Sequence, residues 1–113
     1  PVIQGTNRAA IDAGADILAH PGLISAADMK KAKQKGVAIE ITSRKGHCLS
    51  NGHVVKIAME VGADLIINTD SHNPEDIITI ELARTILHSA GIAENAVEKI
   101  FANSQKLVDR IGL

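Results

Sequence analysis

Ala13-Gly14-Ala15-Asp16-Ile17-Leu18 recurs as Val61-Gly62-Ala63-Asp64-Leu65-Ile66, and a third copy, Lys35-Gly36-Val37-Ala38-Ile39, lies between them. In each copy a glycine is followed at once by an apolar run, which is typical of a helix that ends in glycine and passes into a strand. The runs are apolar at successive positions, as parallel strands covered on both faces are. Strands that alternate with helices predict the α/β class, with a parallel sheet and right-handed crossovers.

Helical patterns fill the gaps between these runs and continue after the last one. Three or four parallel strands cannot close a barrel, and their edge strands would stay unpaired. We therefore expect residues 1–113 to be the carboxyl-terminal portion of one TIM-like barrel domain, with the amino-terminal half absent. Helices are predicted at 6–13, 26–35, 52–61, 74 to about 89, 95–101 and 105–111.

Composition argues against several classes of function. The net charge of −1 directs the chain neither to nucleic acid nor to an anionic membrane, and Phe101 is the only aromatic residue, so base stacking has almost no platform. No apolar run reaches membrane-spanning length, and no leader pattern opens the chain. Cys48 has no second cysteine to pair with, which fits a reducing compartment such as the cytoplasm.

Two strands are followed by side chains that can bind a metal. Asp70 and His72 follow the strand predicted at 63–69, and His20 follows Ile17-Leu18-Ala19. Ligand-binding groups project from the carboxyl ends of parallel strands, and Asp70 and His72 would point to the same side of an extended chain. Imidazole and carboxylate suit Zn, Mn or Fe. We predict that His20, Asp70 and His72 are metal ligands; the alternative is that His20 only caps a turn.

Further polar residues are expected at the same edge of the sheet. Glu40 lies inside a strand, so it should pair with a cation or support a ligand histidine. Arg44 and Lys45 follow that strand and could hold a phosphate, although exposed cations in loops are common. His47 and His53 are candidates for contacting the substrate or moving a proton, against the alternative of surface histidines.

With these residues placed, the chain resembles the carboxyl-terminal half of the polymerase and histidinol phosphatase (PHP) superfamily. The resemblance rests on Ile17–Gly22, Ala38–Thr42, the helix-opening Asn51 and Thr69–His72, in this order and spacing. The Ser43–Gly52 loop and the Asn73-Pro74 pair are most similar to small histidinol-phosphatase-like members.

The resemblance implies a distorted (β/α)7 barrel that binds up to three divalent cations and hydrolyses phosphate esters. It implies that His20, Asp70 and His72 are metal ligands, with Asp70 and His72 on different ions, and that the nucleophile is a metal-bound water. Glu40 and Asn51 are implied as supporting residues. The family's opening His-x-His motif belongs to the missing half, so the isolated segment is predicted to be metal-poor and inactive.

The function predicted from these observations is a metal-dependent phosphoesterase that acts on a small phosphorylated substrate. The alternative is a non-catalytic, nucleic-acid-binding barrel subunit that resembles the protein subunit of archaeal ribonuclease P. The retained metal ligands, the near-neutral charge and the lack of aromatics disfavour it. A third reading is a fragment whose ligand-like residues are only polar turn residues.

Overall fold

The computed structural model describes residues 3–112, which form one small mixed α/β domain. Three parallel strands, β1 (Ile17–Leu18), β2 (Ala38–Thr42) and β3 (Leu65–Asn68), are hydrogen-bonded in the order β1-β2-β3. The prediction of an α/β fold with a parallel sheet is confirmed. The helices are α1 (Thr6–Asp12), α2 (Ala26–Lys35), α3 (Asn51–Val61), α4 (Ile80–Ser89) and α5 (Glu94–Arg110), with short 3-10 turns at Cys48–Ser50 and Pro74–Asp76.

The joints between helix and strand have the predicted form. Gly36 and Gly62 follow α2 and α3 with φ of 70° and 78°, in the left-handed region that a residue with a Cβ adopts at a cost. The Gly36 N–H donates to the Lys33 carbonyl and the Val37 N–H to the Ala32 carbonyl, which satisfies the last carbonyls of α2. β2 and β3 therefore start within a few residues of the end of the preceding helix.

The sheet register assigns the residues of each strand to a face. Leu18 pairs with Ile39, and Ile39 pairs with Leu65, so these three side chains share one face. They belong to the main hydrophobic core together with apolar residues of all five helices, among them Met29 and Leu87. Burying one such side chain contributes about 1.5–3 kcal/mol, so this layer holds the sheet and the helices together.

Glu40 lies on the opposite face of the sheet from that core. Its register partner is Ile66, and both side chains are almost fully buried. Glu40 is therefore a carboxylate held inside the protein, two residues from the end of its strand.

The helix predicted to start at Pro74 starts later, which corrects the prediction. Pro74–Asp76 forms only a 3-10 turn, and α4 begins at Ile80. The Asp76 carboxylate accepts hydrogen bonds from the backbone of His72 and Asn73, so the chain folds back on itself there. Thr79 caps the helix, because its Oγ1 accepts from the Leu82 N–H at 3.1 Å.

The two short helices predicted after residue 93 are one continuous helix, α5. The predicted break falls at Asn103 and Ser104, whose side chains are of types that can compete for backbone hydrogen bonds. In the structure Asn103 Nδ2 instead donates to the Leu65 carbonyl at 3.0 Å, and Ser104 Oγ donates to the Ile100 carbonyl one turn earlier. The bond from Asn103 also covers part of the outer edge of β3.

Closure into a seven-stranded barrel stays a prediction, because the three strands form an open sheet. In the stretch from residue 3 to residue 112, no helix has the length and apolar character needed to cross a lipid bilayer.

Candidate metal centre

The ends of β1 and β3 carry two residues in an unusual backbone conformation. His20 has φ of 32° and Asp70 has φ of 47°, and among residues 3–112 these are the non-glycine residues with positive φ. Left-handed backbone costs an ordinary residue about 1–2 kcal/mol. Such residues concentrate at sites where geometry serves function, so both positions are candidates for binding a ligand.

Glu40 stabilises the unusual backbone of His20. Its Oε1 accepts a hydrogen bond from the His20 N–H at 3.0 Å, and the side chain is only 3% exposed. Burial raises the pKa of the Glu40 carboxyl above its usual value, and the nearby Asp70 carboxylate raises it too, while the hydrogen bond from His20 works in the opposite direction. Glu40 therefore positions the end of β1 from within the sheet.

His47 reaches the same place from the loop after β2. The backbone N–H groups of His47 and Cys48 both donate to the Arg44 carbonyl, and Gly46 has φ of 85°, so the loop turns back toward the sheet. The imidazole ring of His47 stacks on that of His20, with ring centroids 4.5 Å apart and an interplanar angle of 20°. The stacking holds both rings at the carboxyl ends of the strands.

His20, His47 and Asp70 form a group that can hold one metal ion. One ligand atom from each residue lies within 4.8 Å of the others. Two ligands of one zinc ion lie at most about 4 Å apart, so the three side chains must move closer together to hold one ion. Two imidazoles and one carboxylate are donors that suit Zn, Mn or Fe.

Arg44 and Asp76 surround Asp70 from the other side. The Arg44 guanidinium binds Asp76 Oδ2 at 2.9 Å, and its Nε lies 4.0 Å from Asp70 Oδ2. Backbone hydrogen bonds from His72 and Asn73 lower the pKa of the Asp76 carboxyl, and Arg44 lowers it further. Asp76 is therefore an anion that fixes both the Asp70 loop and the Arg44 side chain.

His72 lies close to Asp70 in sequence but outside the group of three. The chain is not extended at Asp70, so the condition under which both side chains would point to the same side is not met. His72 Nδ1 contacts the Asp70 carbonyl oxygen at 2.7 Å, which leaves Nε2 as the nitrogen for an ion.

Asn51 and His53 connect the site to the rest of the fold. Asn51 is buried, accepts from the Thr42 N–H at 3.2 Å and donates to the Thr42 carbonyl at 2.8 Å, so it fixes the end of β2 as another strand would. His53 Nε2 contacts the Ile24 carbonyl at 2.8 Å and so joins α3 to the loop that follows His20. Both side chains are engaged with backbone groups.

The structure thus brings together two of the three predicted metal ligands and one predicted substrate residue. His47 was missed as a candidate ligand, because only the turn at residues 45–47 places its ring over that of His20. Asp76 was missed as well. The sequence pattern that could have indicated Asp76 is the Asn73-Pro74-Glu75-Asp76 run. Its last residue, Asp76, accepts hydrogen bonds from backbone N–H groups although no α-helix starts there.

Comparison with curated proteins gives distant similarity to phosphatases. The chain is 42% identical over 113 residues to an uncharacterized protein of Methanocaldococcus jannaschii, covering 98% of this chain and 52% of that protein. It is 34% identical over 93 residues to probable phosphatases of Thermoanaerobacter sp. and Thermoanaerobacter pseudethanolicus, covering 73% of this chain and 38% of each.

The chain therefore spans about half, or less, of the length of these relatives. No family model matches it. No solved structure matches it either.

Proposed function

We propose that the chain forms part of a metal-dependent phosphoesterase of the PHP type, acting on a small phosphorylated substrate. The observation that carries the proposal is the group of His20, His47 and Asp70, whose ligand atoms lie within 4.8 Å of one another at the ends of the strands. The similarity to probable phosphatases supports the reaction class.

A divalent cation held by His20, His47 and Asp70 would supply Lewis acidity and activate water as a nucleophile near neutral pH. His20 and His47 would each offer a ring nitrogen, and Asp70 would supply the negative charge that favours a cation. The Arg44 guanidinium, held beside Asp70 by Asp76, can offset negative charge on the phosphoryl group. Glu40 acts through the backbone of His20 and does not itself reach the substrate.

The complete site needs more than these residues. We assign His72 to a second ion through Nε2, and the further ligands to the amino-terminal half of a (β/α)7 barrel. On this proposal the segment alone binds metal weakly and turns over no phosphate ester. His53 supports the loop around His20. The near-neutral charge favours a small substrate over a nucleic acid.

The proposal is tested by titrating Mn²⁺ and Zn²⁺ into the chain by calorimetry. Substituting His20→Ala, His47→Ala or Asp70→Ala should weaken binding at least about tenfold, since even an outer partner of a metal ligand is worth about 10–100-fold. Glu40→Gln keeps an acceptor for the His20 N–H and should weaken binding less than these three.

His88→Ala is the matched control, because His88 lies on α4 with its Nδ1 on the Ile92 carbonyl. Equal loss of affinity in this control and in the His20 variant would show non-specific binding and overturn the proposal. Absence of binding to the unsubstituted chain would overturn it too. Full turnover of a phosphomonoester by the segment with Mn²⁺ would refute its dependence on a missing half.

A further inference from the structure

A cavity of about 590 Å³ lies beside the metal group, between the loops that follow β2 and β3 and the start of α4. Arg44 connects the two, because it lines the cavity and its guanidinium also lies beside Asp70. A molecule bound at the metal group can therefore extend past Arg44 into this space. The mechanism proposed above makes no use of it.

The walls of the cavity differ from one end to the other. Ser43, Lys45 and Thr69 provide hydroxyl groups and an ammonium group from the loops at the strand ends. Residues Ile78 and Leu82 provide an apolar wall. Sites for small organic ligands are of about 300–1,000 Å³ and combine apolar walls with a few polar groups, as this cavity does.

The composition of the walls further limits the chemical class of ligand that the cavity can bind. Phe101, the one aromatic residue of the chain, lines a different and smaller cavity beside β3. A nucleobase or an aryl group would therefore find no ring to stack on in the larger one. The larger cavity is lined by Glu75 and Asp76 as well as by Arg44 and Lys45, so its acidic and basic side chains balance in number.

We infer that this cavity binds the organic part of a phosphate monoester, and that this part is short and aliphatic. The inference rests on the proposed function, since the phosphate would lie at the metal group. It makes the apolar wall, above all Leu82, a determinant of substrate specificity.

The test is an NMR titration of the chain with ¹³C-labelled isoleucine methyl groups in the presence of Zn²⁺. The probes are n-butyl phosphate, inorganic phosphate and adenosine 5′-monophosphate. We expect n-butyl phosphate to shift the methyl signals of Ile78 and Ile86, which inorganic phosphate leaves in place. The nucleotide should bind no more tightly than inorganic phosphate does.

Leu82→Asp should lower the affinity for n-butyl phosphate relative to inorganic phosphate by about fourfold or more, the factor that one buried methylene group supplies. Ile80→Asp is the matched control, since it adds the same charge in the same helical turn at an exposed residue outside the cavity. It should leave the ratio of the two affinities unchanged. Measuring the ratio removes any general repulsion of phosphate by the added carboxylate.

A separate sample with Mn²⁺ distinguishes the two proposals. Broadening of signals from His20 and His47, combined with equal shifts of Ile78 by n-butyl phosphate and inorganic phosphate, would overturn the cavity inference and leave the metal site standing. Tighter binding of the nucleotide would overturn it in the same way. Absence of broadening at both histidines would overturn the proposed function, and the inference with it.

Discussion

The amino ends and the carboxyl ends of the strands place positive φ on different kinds of residue. At the amino ends of the strands, positive φ falls on glycines such as Gly36, where it costs little. At the carboxyl ends positive φ falls not only on glycines such as Gly46 but also on His20 and Asp70, where it costs free energy. Among the non-glycine residues of 3–112, the strained backbone therefore lies at the strand ends that carry the candidate metal group, and such strain is typical of functional sites.

The charged groups at the two ends of the strands also differ in what they bind. Near the amino ends, Lys31 pairs with Asp12, and Arg110 pairs with Asp16, in pairs that are largely exposed. Such exposed pairs contribute little to stability. At the carboxyl ends, the Asp76 carboxylate instead accepts hydrogen bonds from backbone N–H groups and from Arg44, so it orders a loop.

The largest expected effect on the free energy of unfolding comes from comparing two asparagines, one near each end of the strands. Asn51→Ala removes both hydrogen bonds to Thr42 at the carboxyl end of β2. We expect a loss of about 2–4 kcal/mol in the free energy of unfolding, since each orphaned buried backbone group costs about 1–3 kcal/mol. Urea denaturation measures the loss, and faster hydrogen exchange at the Thr42 amide should accompany it.

Asn103→Ala is the counterpart at the amino end of β3, where one bond to the Leu65 carbonyl is lost. Its cost should be smaller, because a carbonyl tolerates a missing partner better than an N–H does. The Asn51 variant should also bind Mn²⁺ more weakly, since the loop carrying His47 begins at Thr42. Equal metal affinity in the two variants would mean that Asn51 does not position that loop.

Most of the fold is readable from the sequence, because local rules determine it. The Gly36 and Gly62 joints, the apolar runs after them and the Ser25 cap of α2 each depend on neighbouring residues alone. The errors at α4 and α5 have another origin. They arise where Asp76 and Asn103 form hydrogen bonds with backbone groups whose positions the local pattern does not specify.

The candidate site is readable in part for the same reason. His20 and Asp70 follow strands directly, so a rule about strand ends finds them. His47 is separated from β2 by a turn, and only the folded loop shows that its ring stacks on His20. The cavity beside Arg44 is not predictable from the sequence, since its walls come from two loops and a helix.

Substitutions at Gly36 and Asp70, which both have positive φ, should change the free energy of unfolding by an intermediate amount. Gly36→Ala should cost about 1–2 kcal/mol in the free energy of unfolding, because its φ of 70° strains a residue with a Cβ while no atom lies within 4 Å of the added carbon. For the same reason Asp70→Gly should be more stable than Asp70→Ala by about 1 kcal/mol. Thermal or urea denaturation measures all three variants.

Both Asp70 variants lose the same carboxylate, so they should lose Mn²⁺ affinity to the same extent. Their difference therefore reports only the backbone at this position. If Asp70→Gly were no more stable than Asp70→Ala, the left-handed conformation of Asp70 would not be strained. Positive φ would then cost no more at the carboxyl ends of the strands than at the amino ends.

The smallest expected effect is on the pH dependence of stability, and it is measured by comparing variants of Asp76 and Asp12. Both carboxyls have a pKa below the usual 3.8, lowered mainly by backbone N–H groups for Asp76 and by Lys31 for Asp12. A lowered pKa gives stability that is present above the unfolded value and is lost as pH falls through the folded value. Asp76→Asn should therefore flatten the acid side of a stability profile more than Asp12→Asn does, because fixed N–H groups hold a carboxylate better than mobile lysines. Thermal unfolding between about pH 2 and pH 6 measures both slopes, and equal flattening would mean that the Asp76 loop is no more ordered than an exposed ion pair.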